Sequence, residues 1–465
     1  MTKAGRFGQI ALVVLVAGLA IHNVAMAELW DLGVRGTTLD VFAAWKEGLL
    51  LVAFLVVAWK ARRLPSVTFA DVLAVAYTAI IVVYAFVPQD SLGGGASHHG
   101  ILLALRHHLL PVAGYAFGRL LSVVWQESGR IGVAIALTAG GVALIGLFDL
   151  YAIPLQAWRD SGVPGWYQDQ LGLKYIGLSG LPENWVFNTG NELNPIRRLV
   201  STFLSPLASS YVFVIALVYL VSRPLRWWTG VLGALVFVGL LYTHTRAAFG
   251  ALALGLILLA IAQRRGAPVV LAVGALAVSA LFFVAYPSIG PSTKYTPEEL
   301  EVLHKLAHEN PGGSSDPFST SDSSIASHWR NLRDGIRTVV HHPQGFGLGN
   351  SGVTAKRTKV PILAGESTYT ELGVDAGLAG ILTFVLWNLA LLRGLWRSEA
   401  WVAAAFAAVL FLGLQTDVIG VPWIAVVVWA AAGMVLSRPV GESEPRDVEE
   451  PEPSAEPAAP PAAGP

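Results

Sequence analysis

Apolar residues run along this chain in stretches long enough to cross a bilayer. They fall near 8–27, 42–59, 69–87, 101–122, 131–150, 202–222, 227–243, 246–263, 268–285, 371–392, 399–415 and 419–437. A helix needs about 20 residues to span the hydrocarbon. Lipid offers the backbone no water to bond, so helices are the expected spanning element. The pattern predicts an all-α, polytopic transmembrane helical bundle of about 12 spans, occupying residues 1–438. The first run is long for a signal peptide and is expected to remain as a span. Two polar stretches, about 151–200 and 286–370, predict long loops, the second large and partly helical. Within it, Gly312-Gly313-Ser314-Ser315 and Ser319–Ser324 read as flexible. Residues 439–465 are rich in Glu, Pro and Ala and predict a disordered tail.

Composition agrees with lipid as the solvent. Hydrophobic residues make up 54% and charged residues 13% of the 465, and the mean hydropathy is +0.58. Lys+Arg 31 balances Asp+Glu 31, which argues against a nucleic-acid partner. The chain has no cysteine, which excludes disulfides, thiolate catalysis and Cys-based metal sites.

Charge orients the bundle. With Lys3 and Arg6 inside, alternate loops receive Lys60-Ala61-Arg62-Arg63, Arg130, Arg223 with Arg226, Arg264-Arg265, and Arg393 with Arg397; Arg438 follows the last span. This obeys the positive-inside rule and puts both termini in the cytoplasm and both long loops outside. Aromatic residues of the first long loop, Trp158, Trp166, Tyr167, Tyr175 and Trp185, are expected either to pack or to stack on a ligand.

The informative cations lie at the outer side: Arg106, Arg197, Arg198, Arg246, Arg330, Arg333 and Arg337. Arg330, Arg333 and Arg337 follow i, i+3, i+7 spacing and share one helical face. Arg330 can also pair with Asp334 as part of a solvated helix. Arginine's planar fork suits phosphate, so together these residues suggest a pocket for a phosphorylated, lipid-bearing ligand. Lys46-Glu47 reads as a structural pair within the second span. Metal binding is not expected. The pairs His98-His99, His107-His108 and His341-His342 lack an acidic partner at ligand spacing. No phosphate-binding glycine loop of the ATP-using type occurs, and no cofactor is expected.

Three segments carry a family likeness. Arg198-Leu199-Val200-Ser201-Thr202-Phe203-Leu204-Ser205-Pro206 and Thr243-His244-Thr245-Arg246-Ala247-Ala248 are the first two. The third runs from His341-His342-Pro343-Gln344-Gly345-Phe346-Gly347-Leu348-Gly349 through Glu366-Ser367 to Gly377-Leu378-Ala379-Gly380. Together they resemble the O-antigen ligase and O-antigen polymerase superfamily of integral membrane glycosyltransferases, a GT-C-like architecture. The resemblance covers about 195–385 at motif level. It implies a polyprenyl-pyrophosphate-linked glycan donor, a glycan or lipid-linked acceptor hydroxyl, membrane lipid as surroundings, and no metal. Ligases have a histidine where this chain has Glu366. Glu-Ser at this point is similar to polysaccharide polymerases of the broader superfamily, which favours polymerase over ligase.

The resulting expectation is an inverting transfer in the cytoplasmic membrane of a prokaryote, on the face toward the periplasm or cell exterior. Glu366 would take the proton of the attacking hydroxyl. Arg198, Arg246 and Arg330 would stabilise the leaving pyrophosphate. Arg106, Arg197, Arg333, Arg337 and His328 would bind substrate. Two alternatives stand beside it: ligase-type transfer to a lipid or protein acceptor, and a multi-span anion or solute transporter.

Overall fold

In the computed structural model the apolar runs become helices with little displacement. The structure describes residues 3–61, 64–125, 129–173, 181–187, 195–294, 297, 300–301, 323–361 and 363–436. The flexible stretches expected within 312–324 fall largely outside the described residues, as do Tyr175, Arg62, Arg63, Arg438 and the tail 439–465.

Helices α1 (Lys3–Asp31), α2 (Gly36–Ala43) and α3 (Trp45–Lys60) open the chain. Then come α4 (Phe69–Phe86), α5 (His98–Val124) and α6 (Gly129–Ala152). After the first long loop follow α7 (Pro206–Ser222), α8 (Trp227–Thr243), α9 (Arg246–Gln263) and α10 (Ala267–Ile289). The second long loop contains α11 (Ser323–His341) and α12 (Gly352–Thr358); α13 (Thr368–Ser398), α14 (Ala400–Leu412) and α15 (Trp429–Leu436) close the bundle. Among the described residues, seven segments are long and apolar enough to cross a membrane, α2 and α3 together forming one of them. Four shorter apolar helices, α7, α8, α14 and the Ile424–Leu436 segment, occupy further expected spans, and α5 occupies the last. The protein is an all-α polytopic bundle.

Side chains such as Leu51, Leu55, Val75, Val83, Val270, Leu271 and Leu281 face outward from the bundle. An exposed apolar belt of this kind is what lipid covers. Inside, α7, α14 and α15 are buried on nearly every side. Close helix contact depends on small residues: a Cβ on Gly118 of α5 would stand 2.0 Å from the Ala430 carbonyl oxygen of α15.

The described aromatic residues of the first loop pack. Trp166, Tyr167 and Trp185 are buried in a cluster of their own with Leu204. Trp185 Nε1 and the Tyr167 hydroxyl both donate to the Leu204 carbonyl, at 3.0 and 3.2 Å. Trp158 Nε1 donates to Asp149. This second core clamps the segment that carries Arg198.

Candidate active site

Arg198 lies in an extended segment fixed on two sides. Its amide donates to the Trp185 carbonyl at 2.9 Å, and the next amide donates to the Tyr242 carbonyl at 2.8 Å. Its guanidinium donates to the Thr243 carbonyl at 2.8 Å and to Thr245 Oγ1 at 3.2 Å. The chain then turns at Ser201 and Leu204, both left-handed in φ. Ser205 caps α7 through the Ala208 amide, with Pro206 in the first turn. Part of the first motif is therefore helix-start chemistry.

Arg246 is the first residue of α9. Before it, His244 caps α8 with φ 54 and packs its ring 4.1 Å from Phe283 and 4.5 Å from Tyr286. Arg246 and Arg198 are within electrostatic reach of each other. Burial draws the Arg198 guanidinium down to about 10, and Arg246 pushes it the same way, so Arg198 remains cationic at neutral pH. A cation at a helix N-terminus works against the macrodipole. Positive charge concentrated in this way suits a multiply charged anion.

Glu366 precedes α13, with φ 68. Its carboxylate meets His328, Nδ1 to Oε2 2.5 Å. Its amide donates to Glu371 Oε1 at 3.0 Å. The close contact with His328 is the largest influence on its charge; burial opposes it and Asn331 and Lys356 add to it, leaving Glu366 below the usual carboxylate range.

The segments bearing Arg246 and Glu366 meet at one end of α14. Gly250, in the first turns of α9, faces Phe411. Ser367 Oγ and the Thr368 amide both donate to the Gly413 carbonyl, at 3.1 and 3.0 Å. Tyr369 donates to the Leu410 carbonyl. Tyr211 of α7 lies within electrostatic reach of both Arg198 and Asp417, and Asp417 adjoins Thr368.

The other predicted site residues divide. His328 joins Glu366. Arg197 is buried at 5% exposure, and its guanidinium is used on Asp149 and the carbonyls of Asp149, Leu150 and Ile153. It anchors the loop to α6, a structural task in place of the expected substrate contact. Arg106 bonds Glu47 and has Lys46 and Arg357 as charged neighbours, forming a separate group. Arg330, Arg333 and Arg337 share one face as expected, and all are exposed. That face is opposite the one that packs on α13, where Gly335 meets Thr370 and Val339 meets Gly373. At about 100° per residue, His328 lies on the packed face and Arg330 does not. Arg337, rather than Arg330, approaches Asp334, at 3.9 Å.

Sequence reading missed the acids behind the site. Glu371 and Asp375 stand one turn apart on α13, and Asp417 joins them. His107 Nε2 is 3.4 Å from Asp417 Oδ2, and His108 Nε2 is 2.9 Å from Asp375 Oδ2. The absence of an acidic partner for His107-His108 held only along the sequence; the tertiary fold supplies two. His107, Glu371 and Asp417 present ligand atoms within 4.8 Å of one another, a set able to hold a metal ion. These atoms also have protein partners: His107 with Asp417, and the Glu366 amide with Glu371. Two carboxylates at i, i+4 in a predicted span were the available signal, since such groups are costly in lipid.

The third motif acts as a clasp. Gly345 and Gly377 are both left-handed, and a Cβ on Gly345 would stand 2.6 Å from the Gly377 nitrogen. The Phe346 amide donates to Val374 and the Leu378 amide to Pro343. These bonds lock the turn onto the break in α13 at Ala376–Gly377.

Residues 231–385 match the protein family described as O-antigen ligase. The match covers part of the chain and supports a likeness to the O-antigen ligase/polymerase superfamily. The matched stretch contains Arg246, the clasp and Glu366, and it supports a membrane glycosyltransferase of that type. No curated protein matches the chain.

Proposed function

We propose that this protein transfers a glycan from a polyprenyl-pyrophosphate donor to an acceptor hydroxyl at the non-cytoplasmic face of a prokaryotic inner membrane, as a polysaccharide polymerase. The observation that supports this best is that the start of α9, whose Arg246 lies within electrostatic reach of Arg198, and the segment bearing Glu366 both pack at one end of α14. The hydroxyl attacks the anomeric carbon from the face opposite the pyrophosphate and inverts it. Arg198 and Arg246 stabilise charge on the departing diphosphate. The Glu366 region accepts the acceptor's proton. Arg330 is left a peripheral part, consistent with its exposed face.

The test is reconstitution with a defined polyprenyl-pyrophosphate glycan. A ladder of products is expected; a single adduct on a second acceptor would indicate a ligase instead. Donor moved across the bilayer with no new glycosidic bond would favour a transporter. Arg198→Ala and Arg246→Ala should each lower transfer by about 10²–10³-fold, the scale for removing one preplaced charge-stabilising donor.

A further inference from the structure

We propose that His328 is the group that removes the acceptor proton, and that Glu366 holds and orients it. This carboxylate–imidazole dyad is assembled from α11 and the mouth of α13. The proposal rests on the glycosyl-transfer reading and assigns its base.

The contact is specific. Glu366 Oε2 meets Nδ1 of His328, so Nε2 is the nitrogen left for a substrate. The imidazole is 50% exposed and the carboxylate 39%, leaving the pair open to an acceptor. His328 is one of the α11 residues on the face turned to α13, which Gly335 and Val339 fix in place. Glu366 is held in turn by its left-handed backbone, by its amide on Glu371 and by Asn331 of α11. The titratable groups around it are His328 from α11, Lys356 from α12 and Glu371 from α13. An anionic carboxylate on one imidazole nitrogen fixes the tautomer and leaves the other nitrogen basic.

In the step, the acceptor O–H bond breaks and its proton goes to His328 Nε2. The oxygen forms a bond to the anomeric carbon. The bond from that carbon to the pyrophosphate oxygen breaks, and its electron pair leaves with the polyprenyl diphosphate. Glu366 stabilises the imidazolium without taking its proton, which later passes to water.

Reconstituted full-length protein tests this with the polyprenyl-pyrophosphate glycan as probe. His328→Gln should lower kcat about 100-fold or more, within the range for losing a general base. Glu366→Gln should do the same, and the double variant should be no worse than the weaker single, as for residues acting as one unit. Added imidazole should restore part of the activity of His328→Ala, and none of it when Glu366→Gln is also present. His328→Gln within threefold of wild type would overturn the dyad while leaving the transferase reading intact. Loss in His328→Gln without imidazole rescue of His328→Ala would also overturn it, making His328 a structural residue. Wild-type protein that forms no product would instead remove the transferase reading itself.

Discussion

Ser201, Leu204, His244 and Glu366 are four of the six described non-glycine residues with left-handed backbone, and they lie in the segments that carry Arg198, Arg246 and Glu366. Each such residue costs roughly 1–2 kcal/mol. Strain of this kind persists where surrounding structure enforces it, often at functional sites. At position 366 the cost is measurable. Glu366→Gly and Glu366→Ala remove the same carboxylate, but glycine fits φ 68 and alanine does not. The glycine variant should be the more stable by about 1 kcal/mol, read as a higher Tm in detergent; alanine equal or higher would contradict the backbone assignment. Protonation gives a second check. The folded-state pKa of Glu366 is depressed, first by the His328 contact. Its contribution to stability is therefore present above the ordinary glutamate value and lost as pH falls through the folded one. The stability gap between wild type and Glu366→Gln should shrink on acidification below about pH 4.5, and a gap constant with pH would count against the His328–Glu366 bond.

At the scale of elements, the motif residues serve two ends. Ser205-Pro206 starts a helix, and the Gly345 turn clasps the break in α13; both shape the site without touching substrate. The arginine row on α11 suggests a phosphate-binding face because its spacing is helical, but spacing fixes only which residues share a face. The direction of that face is set by which side of α11 docks, and the glycine and valine at 335 and 339 dock. Arg330→Ala should therefore lower transfer less than tenfold, far less than Arg198→Ala; an equal loss would bring the α11 face back into the site. Helix crossings permit a similar contrast. Gly118→Ala puts a Cβ against the Ala430 carbonyl and should lower Tm, since a packed interface costs about 1–3 kcal/mol to overfill. Gly141→Ala has open space around it and should be neutral or stabilising by up to about 1 kcal/mol from helix propensity.

At the scale of the whole molecule, the absence of cysteine makes orientation directly testable. Asp160 and Arg265 are both exposed and lie on loops expected to face opposite sides. In intact cells an impermeant thiol reagent should label Asp160→Cys and spare Arg265→Cys; the reverse pattern would invert the topology and the proposed side of catalysis. The sequence by itself determined the helices, because bilayer thickness and backbone hydrogen bonding act locally and leave their period in the apolar runs. It also determined that Arg246 and Glu366 sit at helix mouths. Only the tertiary structure decided which charged groups share one space. It brought His328 to Glu366, gave Arg197 to Asp149, drew Arg106 to Glu47, and set His107 and His108 against acids far along the chain. Such pairings depend on helix rotation and docking, which are fixed by contacts between distant segments. A pattern along the chain records the length and face of an element, but carries no measure of what that face will meet.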